Sequence, residues 1–182
     1  MEAAHPITVH LPLALTFIAP IIMLLVIVGV STGLWPKSVW LVPVIIVAGA
    51  FGGVYYAQQE GGRDADHVIQ TYGEDAFGDP IHNHAHWSDY LFWTQAGTLA
   101  LAVIALCVPP LGMLRILAFL FALGAWVPMY YTGHLGGELV YKLGASNAFD
   151  GPKDMLEDLT KKLPKNFNSS SLEKEHGGGQ SF

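Results

Sequence analysis

Eight histidines are a conspicuous set of coordinating groups in a chain of 182 residues of which only 13% are charged. His5 and His10 open the first long apolar run, His67, His82, His84 and His86 lie between the second and third, and His134 stands near the end of the fourth. If each run crosses a membrane, these seven fall toward one of its faces, while His176 belongs to a solvent-exposed tail. Imidazole ligates zinc, copper and haem iron, so residue type alone leaves the centre open. Coordinating groups at membrane depth are costly and tend to be functional.

The placement narrows the chemistry. His10, His86 and His134 are expected to approach one another from three helices at similar depth, as a centre inside a bundle requires. Bilayer depth favours haem, because a porphyrin is a large apolar disc that needs a cleft, axial ligands and small neighbours. Gly133, Gly136 and Gly137 bracket His134, and Gly49, Gly52 and Gly53 thin the second run near the same face. Glycines also serve tight helix packing in membranes. At about 100° per residue, the five-residue step from His5 to His10 points the two rings about 140° apart, so they do not easily hold one iron. They could serve two centres, and His5 with His84 forms a reserve for a second haem.

His82, His84 and His86 form a His-x-His-x-His run that on a loop would chelate copper or zinc; on a helix, only His82 and His86 would share a face. His67 is expected to be exposed. Asp79, Asp89 and Glu138 belong to the same face, where a carboxylate can take protons from a bound quinol or orient a ligand ring.

The elements that must position these groups follow from charge and length. Apart from Lys37, the stretch from Ala3 to Gln59 carries no Lys, Arg, Asp or Glu, a pattern that belongs in lipid. A span takes about 20 apolar residues, and runs at about 7–30, 38–57, 89–108 and 116–140 qualify. Gly33, Trp35 and Pro36 break the chain between the first two, and Pro109, Pro110 and Gly112 between the last two. Such short connections make antiparallel neighbours. The expectation is an all-α, integral membrane up-down four-helix bundle over residues 1–145, with an extramembrane tail over 146–182. Trp35, Trp40, Trp87, Tyr55 and Tyr56 fall near span ends, where interfacial aromatics collect, and Pro12, Pro20, Pro43 and Pro128 predict kinks.

The second-to-third connection, Gln58 to Ser88, reads as a long acidic loop, with Glu60, Asp64, Asp66, Glu74, Asp75 and Asp79 against Arg63. The short loops carry only Lys37 and Arg115, which by the positive-inside rule places them in the cytoplasm and the termini outside a bacterial inner membrane. In the tail, Asp150, Gly151 and Pro152 predict a helix start. Met155, Leu156, Leu159 and Leu163 predict an apolar stripe, either lying on the bilayer or docking a partner.

Several function classes are set aside. One cysteine, Cys107, cannot close an intramolecular disulfide, and a formal charge of −6 offers no footprint for nucleic acid. Met1 to Pro6 lacks the basic start of a signal peptide, so the first span is expected to remain. The sequence has no phosphate-binding glycine loop, no Cys-x-x-Cys, no c-type haem attachment motif and no nucleophile elbow.

Two motifs carry a resemblance. The opening His5-Pro6-Ile7-Thr8-Val9-His10-Leu11-Pro12 and the later Thr132-Gly133-His134-Leu135-Gly136-Gly137-Glu138-Leu139-Val140-Tyr141 resemble the small bacterial four-helix membrane proteins of domain-of-unknown-function family 2231. The resemblance spans roughly Ala4 to Ala145 and implies a compact membrane domain that binds haem b, similar in plan to other bundle cytochromes. Members of that family often continue the second motif with a histidine before a glycine; here Leu143 precedes Gly144, so that ligand is missing.

The expected function is a b-type cytochrome subunit, with one or two haems b and a quinone as cofactors. It would pass electrons between quinol and a redox partner such as a c-type cytochrome within a larger membrane oxidoreductase complex. A non-haem anchoring subunit of a respiratory or photosynthetic complex, and a copper- or zinc-binding protein built on His82, His84 and His86, are the alternatives.

Overall fold

The structure, a computed structural model, describes residues 8–108 and 112–149. His5, the Pro109–Pro110 break, the tail stripe and His176 lie outside the described residues.

Helix α1 (His10–Ser31) is followed by a 3₁₀ turn (Lys37–Trp40) that runs into α2 (Leu41–Tyr72). Helix α3 (Glu74–Cys107) follows at once, and α4 (Gly112–Gly124) and α5 (Trp126–Gly137) form the fourth rod, which ends in a π turn (Glu138–Lys142) and a 3₁₀ turn (Ala145–Phe149). Four helical stretches, His10–Ser31, Lys37–Tyr72, Glu74–Cys107 and Gly112–Lys142, are long and apolar enough to cross a bilayer. α1 packs on α2, α2 on α3, α3 on α4 and α5, and α4 back on α1, which closes an all-α four-helix bundle.

Pro12 and Pro43 do not interrupt these helices, because each sits in a first turn, where the missing N–H has no helical partner to lose. Pro128 acts differently. Its ring removes the bond to the Gly124 carbonyl four residues back, and the fourth rod is divided at Ala125 between α4 and α5.

The acidic loop expected between the second and third spans is absent. At about 1.5 Å per residue, the 32 residues of α2 and 34 of α3 exceed a bilayer core of about 30 Å, so both helices continue beyond it. They meet at a single residue, Gly73, whose φ of 89° suits only glycine without strain. Polar composition did not break the helices because an apolar seam continues through them. Val68 and Phe77 are buried, and Tyr72 stacks on Phe77 with centroids 5.3 Å apart across the turn. Glu60 and Arg63, three residues apart on α2, pair at 2.6 Å on the outside.

The interior is built from small residues. Ala19, Ala102, Ala105, Ala118 and Ala122 surround Met23, Val26, Trp40, Val44 and Val47 in the half of the bundle nearer the short connections. Val54, Leu91 and Ala125, backed by Leu13, Phe92 and Met129, fill the other half. Large side chains such as Leu11, Leu25, Ile45, Trp93 and Leu120 point outward. That inversion suits a bilayer: lipid solvates large apolar groups as well as the core does, and close backbone approach holds the helices together. Two polar bridges cross the interior. Gln95 Nε2 donates to Thr16 Oγ1 at 2.6 Å, joining α3 to α1, and Trp40 Nε1 donates to the Ala102 carbonyl at 2.9 Å.

Gly53 shows how tight the approach is, since a Cβ there would lie 2.8 Å from Pro12 Cβ on α1, whereas one at Gly52 would meet nothing within 4 Å. Gly53→Val should therefore destabilise the bundle by about 1–3 kcal/mol and lower its melting midpoint in detergent. Gly52→Ala serves as the control, and equal midpoints for the two variants would contradict this helix packing.

Candidate functional site

Contacts between neighbouring helices set the depth of each candidate residue. Phe17 of α1 stacks on Trp126 of α5 with centroids 5.0 Å apart. Gln58 Nε2 of α2 donates to Ser88 Oγ at 3.2 Å and Asp89 Oδ1 at 3.1 Å on α3. Trp87 of α3 stacks on Tyr131 of α5, and a Cβ at Gly136 of α5 would lie 3.1 Å from His84 Cε1 of α3. Counting turns from these contacts places His10, His86 and His134 at the same end of the bundle, on α1, α3 and α5.

Shared depth does not bring the three rings to a common point. All three residues are exposed, and the axis of the bundle just deeper is filled by Val54, Leu91, Ala125 and the apolar groups packed on them. Among the described residues, no three His, Cys, Asp or Glu side chains form a group that could hold a metal ion.

The structure does join His86 and His134 to one surface. His86 meets Tyr90 edge-on at 4.7 Å, and Tyr90 contacts Trp87 at 5.7 Å. Trp87 stacks on Tyr131 at 4.2 Å with the planes 21° apart, which carries the contact from α3 to α5. Tyr131 meets Tyr130 at 5.5 Å, and Tyr130 lies parallel to His134 at 5.9 Å. The band closes because His86 and Tyr90, like Tyr130 and His134, are four residues apart on their helices and so share a face. Four aromatic rings thus separate the two imidazoles, which makes them ends of one band and not a facing pair.

Beyond His134 the same face continues to Glu138, whose Oε1 lies 3.7 Å from His134 Nε2 and which also pairs with Lys142. Glu138 begins the π turn, in which the Leu143 N–H reaches the Glu138 carbonyl five residues back. Of the glycines bracketing His134, Gly136 alone holds a neighbour close. A Cβ at Gly133 or Gly137 would meet nothing within 4 Å, so α5 presents bare backbone on either side of the ring.

The remaining histidines differ in role. The His-x-His-x-His run is helical, so His82 and His86 share an exposed face while half-buried His84 packs over Gly136 on the other side. That geometry replaces the three-ring loop chelate with at most a pair. His67, expected to be exposed, is half-buried, with Nε2 3.0 Å from the Ala148 carbonyl, and ties the last 3₁₀ turn to α2.

Sequence reasoning missed a cleft of about 420 Å³ lined by Asp79, Pro80, Asn83, Leu135, Glu138, Leu139 and Leu143. It gathers two of the three carboxylates singled out in the sequence, whereas Asp89 is engaged by Gln58.

If the Trp87–Tyr131 stack holds α3 and α5 in register, a double-mutant cycle with Trp87→Leu and Tyr131→Leu should give a coupling of about 0.5–1.5 kcal/mol in unfolding experiments. Strictly additive effects would show that the rings do not pack. Comparison with protein-family models, with curated proteins and with solved structures finds no match for this chain.

Proposed function

We propose that this chain is a b-type cytochrome subunit of a membrane oxidoreductase complex and carries its haem on the outer face of the bundle. The observation that carries this reading is the exposed band on α3 and α5 with an imidazole at each end. A planar apolar macrocycle fits such a face better than the closed interior, because Gly133 and Gly137 leave bare backbone beside His134. The resemblance of the His5–Pro12 and Thr132–Tyr141 motifs to domain-of-unknown-function family 2231, which implies a haem b domain, agrees with this reading.

When bound, haem supplies reversible one-electron chemistry at its iron. The chain's own contribution is ligation and orientation. His134 would hold the haem, and Glu138, whose Oε1 lies 3.7 Å from the ring's Nε2, would help to orient the imidazole. His86, four rings away, belongs to a second centre or to a ligand pair completed by a partner subunit, and His10 remains in the pool on α1. Asp79 and Glu138 line the cleft, where a carboxylate would take protons from a quinol head group. The α2–α3 hairpin carries Glu60, Asp64, Asp66, Glu74, Asp75 and Asp79 against Arg63, an acidic surface suited to a basic partner such as a soluble c-type cytochrome outside the bacterial inner membrane.

The closed interior favours a second reading, an anchoring subunit without haem whose aromatic band is an assembly surface. Haem stoichiometry separates the two. Pyridine haemochrome assays should find about one or two haems per wild-type chain, a loss of at least half in purified, folded His134→Ala, and a smaller loss in His10→Ala. A full haem complement in His134→Ala would remove that ligand, and a wild type without haem would leave the anchoring reading.

A further inference from the structure

The opposite end of the bundle holds a charge with no counterion among the described residues. Arg115 lies in the first turns of α4 and is only 8% exposed, with its guanidinium 5.6 Å from the centre of the Trp40 ring. Trp40 is itself 0% exposed and pinned by its bond to the Ala102 carbonyl, so it forms a fixed platform. Nε of Arg115 is buried and has no hydrogen-bond partner among the described residues. A cation also sits poorly here, because the first turn of a helix is the positive end of its dipole and presents N–H groups with no helical acceptor.

Among the described residues, no carboxylate stands at this end. Between Ala3 and Gln59, Lys37 is the sole residue among Lys, Arg, Asp and Glu, and between Tyr90 and Gly137, Arg115 is the sole one. The nearest carboxylates in sequence, Glu60, Asp89 and Glu138, stand on the histidine end. Lys37 is three residues before Trp40 in the 3₁₀ turn, a spacing that stacks side chains on one side of such a turn. Arg115 at the Trp40 ring, exposed Lys37 one 3₁₀ turn before Trp40 and the start of α4 thus share this end, with no acid there among the described residues.

We infer that Arg115, with Trp40 and Lys37, forms a site for the phosphate of an anionic phospholipid. Arginine matches phosphate with two parallel N–H bonds, and the Trp40 ring face favours a cation beside it. The phosphate comes from lipid because the site lies where α1 ends and α4 begins, at the boundary of two spans, beside the exposed apolar side chains of Leu34, Trp35 and Met113. Those groups offer acyl chains a surface that a free ion would not use, and juxtamembrane cations draw anionic lipids.

The test uses the full chain purified in neutral detergent. Phosphatidylglycerol, phosphatidylcholine or inorganic phosphate is added, and the melting midpoint and retained lipid in native mass spectrometry are read. Phosphatidylglycerol should raise the midpoint and be retained about tenfold more than phosphatidylcholine, with inorganic phosphate giving little effect. Arg115→Gln should abolish the preference and Lys37→Gln should weaken it. Should Arg115→Gln fail to fold, the wild-type comparison and Lys37→Gln decide the matter. Equal retention of the two lipids, equal stabilisation by inorganic phosphate, or a preference intact in folded Arg115→Gln would each overturn the site.

Discussion

The structure depends on helices that pack closely through small residues. In lipid there is little hydrophobic gain from pressing one apolar helix on another, so contact comes from small residues that admit the neighbouring backbone. The alanines around Met23 and Trp40 and the approach of Gly53 to Pro12 show that solution. Its consequence is functional as much as mechanical. With the interior closed by Val54, Leu91 and Ala125 and their neighbours, groups that bind anything must sit on outer faces, at the ends, or in the shallow cleft beside the π turn.

The two ends use that constraint in opposite ways. At one, α2 and α3 outgrow the bilayer and meet at Gly73, building an acidic hairpin above a surface of histidine and aromatic rings. At the other, the chain turns back almost without charge, with Arg115 and Lys37 and no acid among the described residues. Between them, the Gln95–Thr16 bond fixes α3 against α1 with its polar atoms satisfied inside the bundle. The bundle so held keeps the outward-facing aromatic band of α3 and α5 at a set depth.

Much of the fold was legible because charge and length are local properties. Four spans followed from long apolar runs nearly free of Lys, Arg, Asp and Glu, and their antiparallel order from two short breaks. The helical hairpin was hidden by its acidic composition; what keeps it helical is the burial of Val68 and Phe77 and the stack across Gly73, which are tertiary facts. For the histidines, depth was readable by counting residues, but direction was not, since it depends on how each helix is rotated about its own axis. His10, His86 and His134 share an end and face outward. The four-residue spacings Tyr90 after His86 and Tyr130 before His134 were visible in the sequence and could have signalled the band. Arg115 read only as a topology marker, because its burial against Trp40 joins residues far apart in the chain.

The central claim is that the exposed face of α3 and α5 holds a redox-active haem. The measurement that tests it most directly is a reduced-minus-oxidised absorption spectrum of the full chain, expressed alone in haem-replete cells and purified in detergent. A b-type α band that appears on reduction and disappears on oxidation is the predicted result. A featureless difference spectrum from protein that is folded and helical would contradict it.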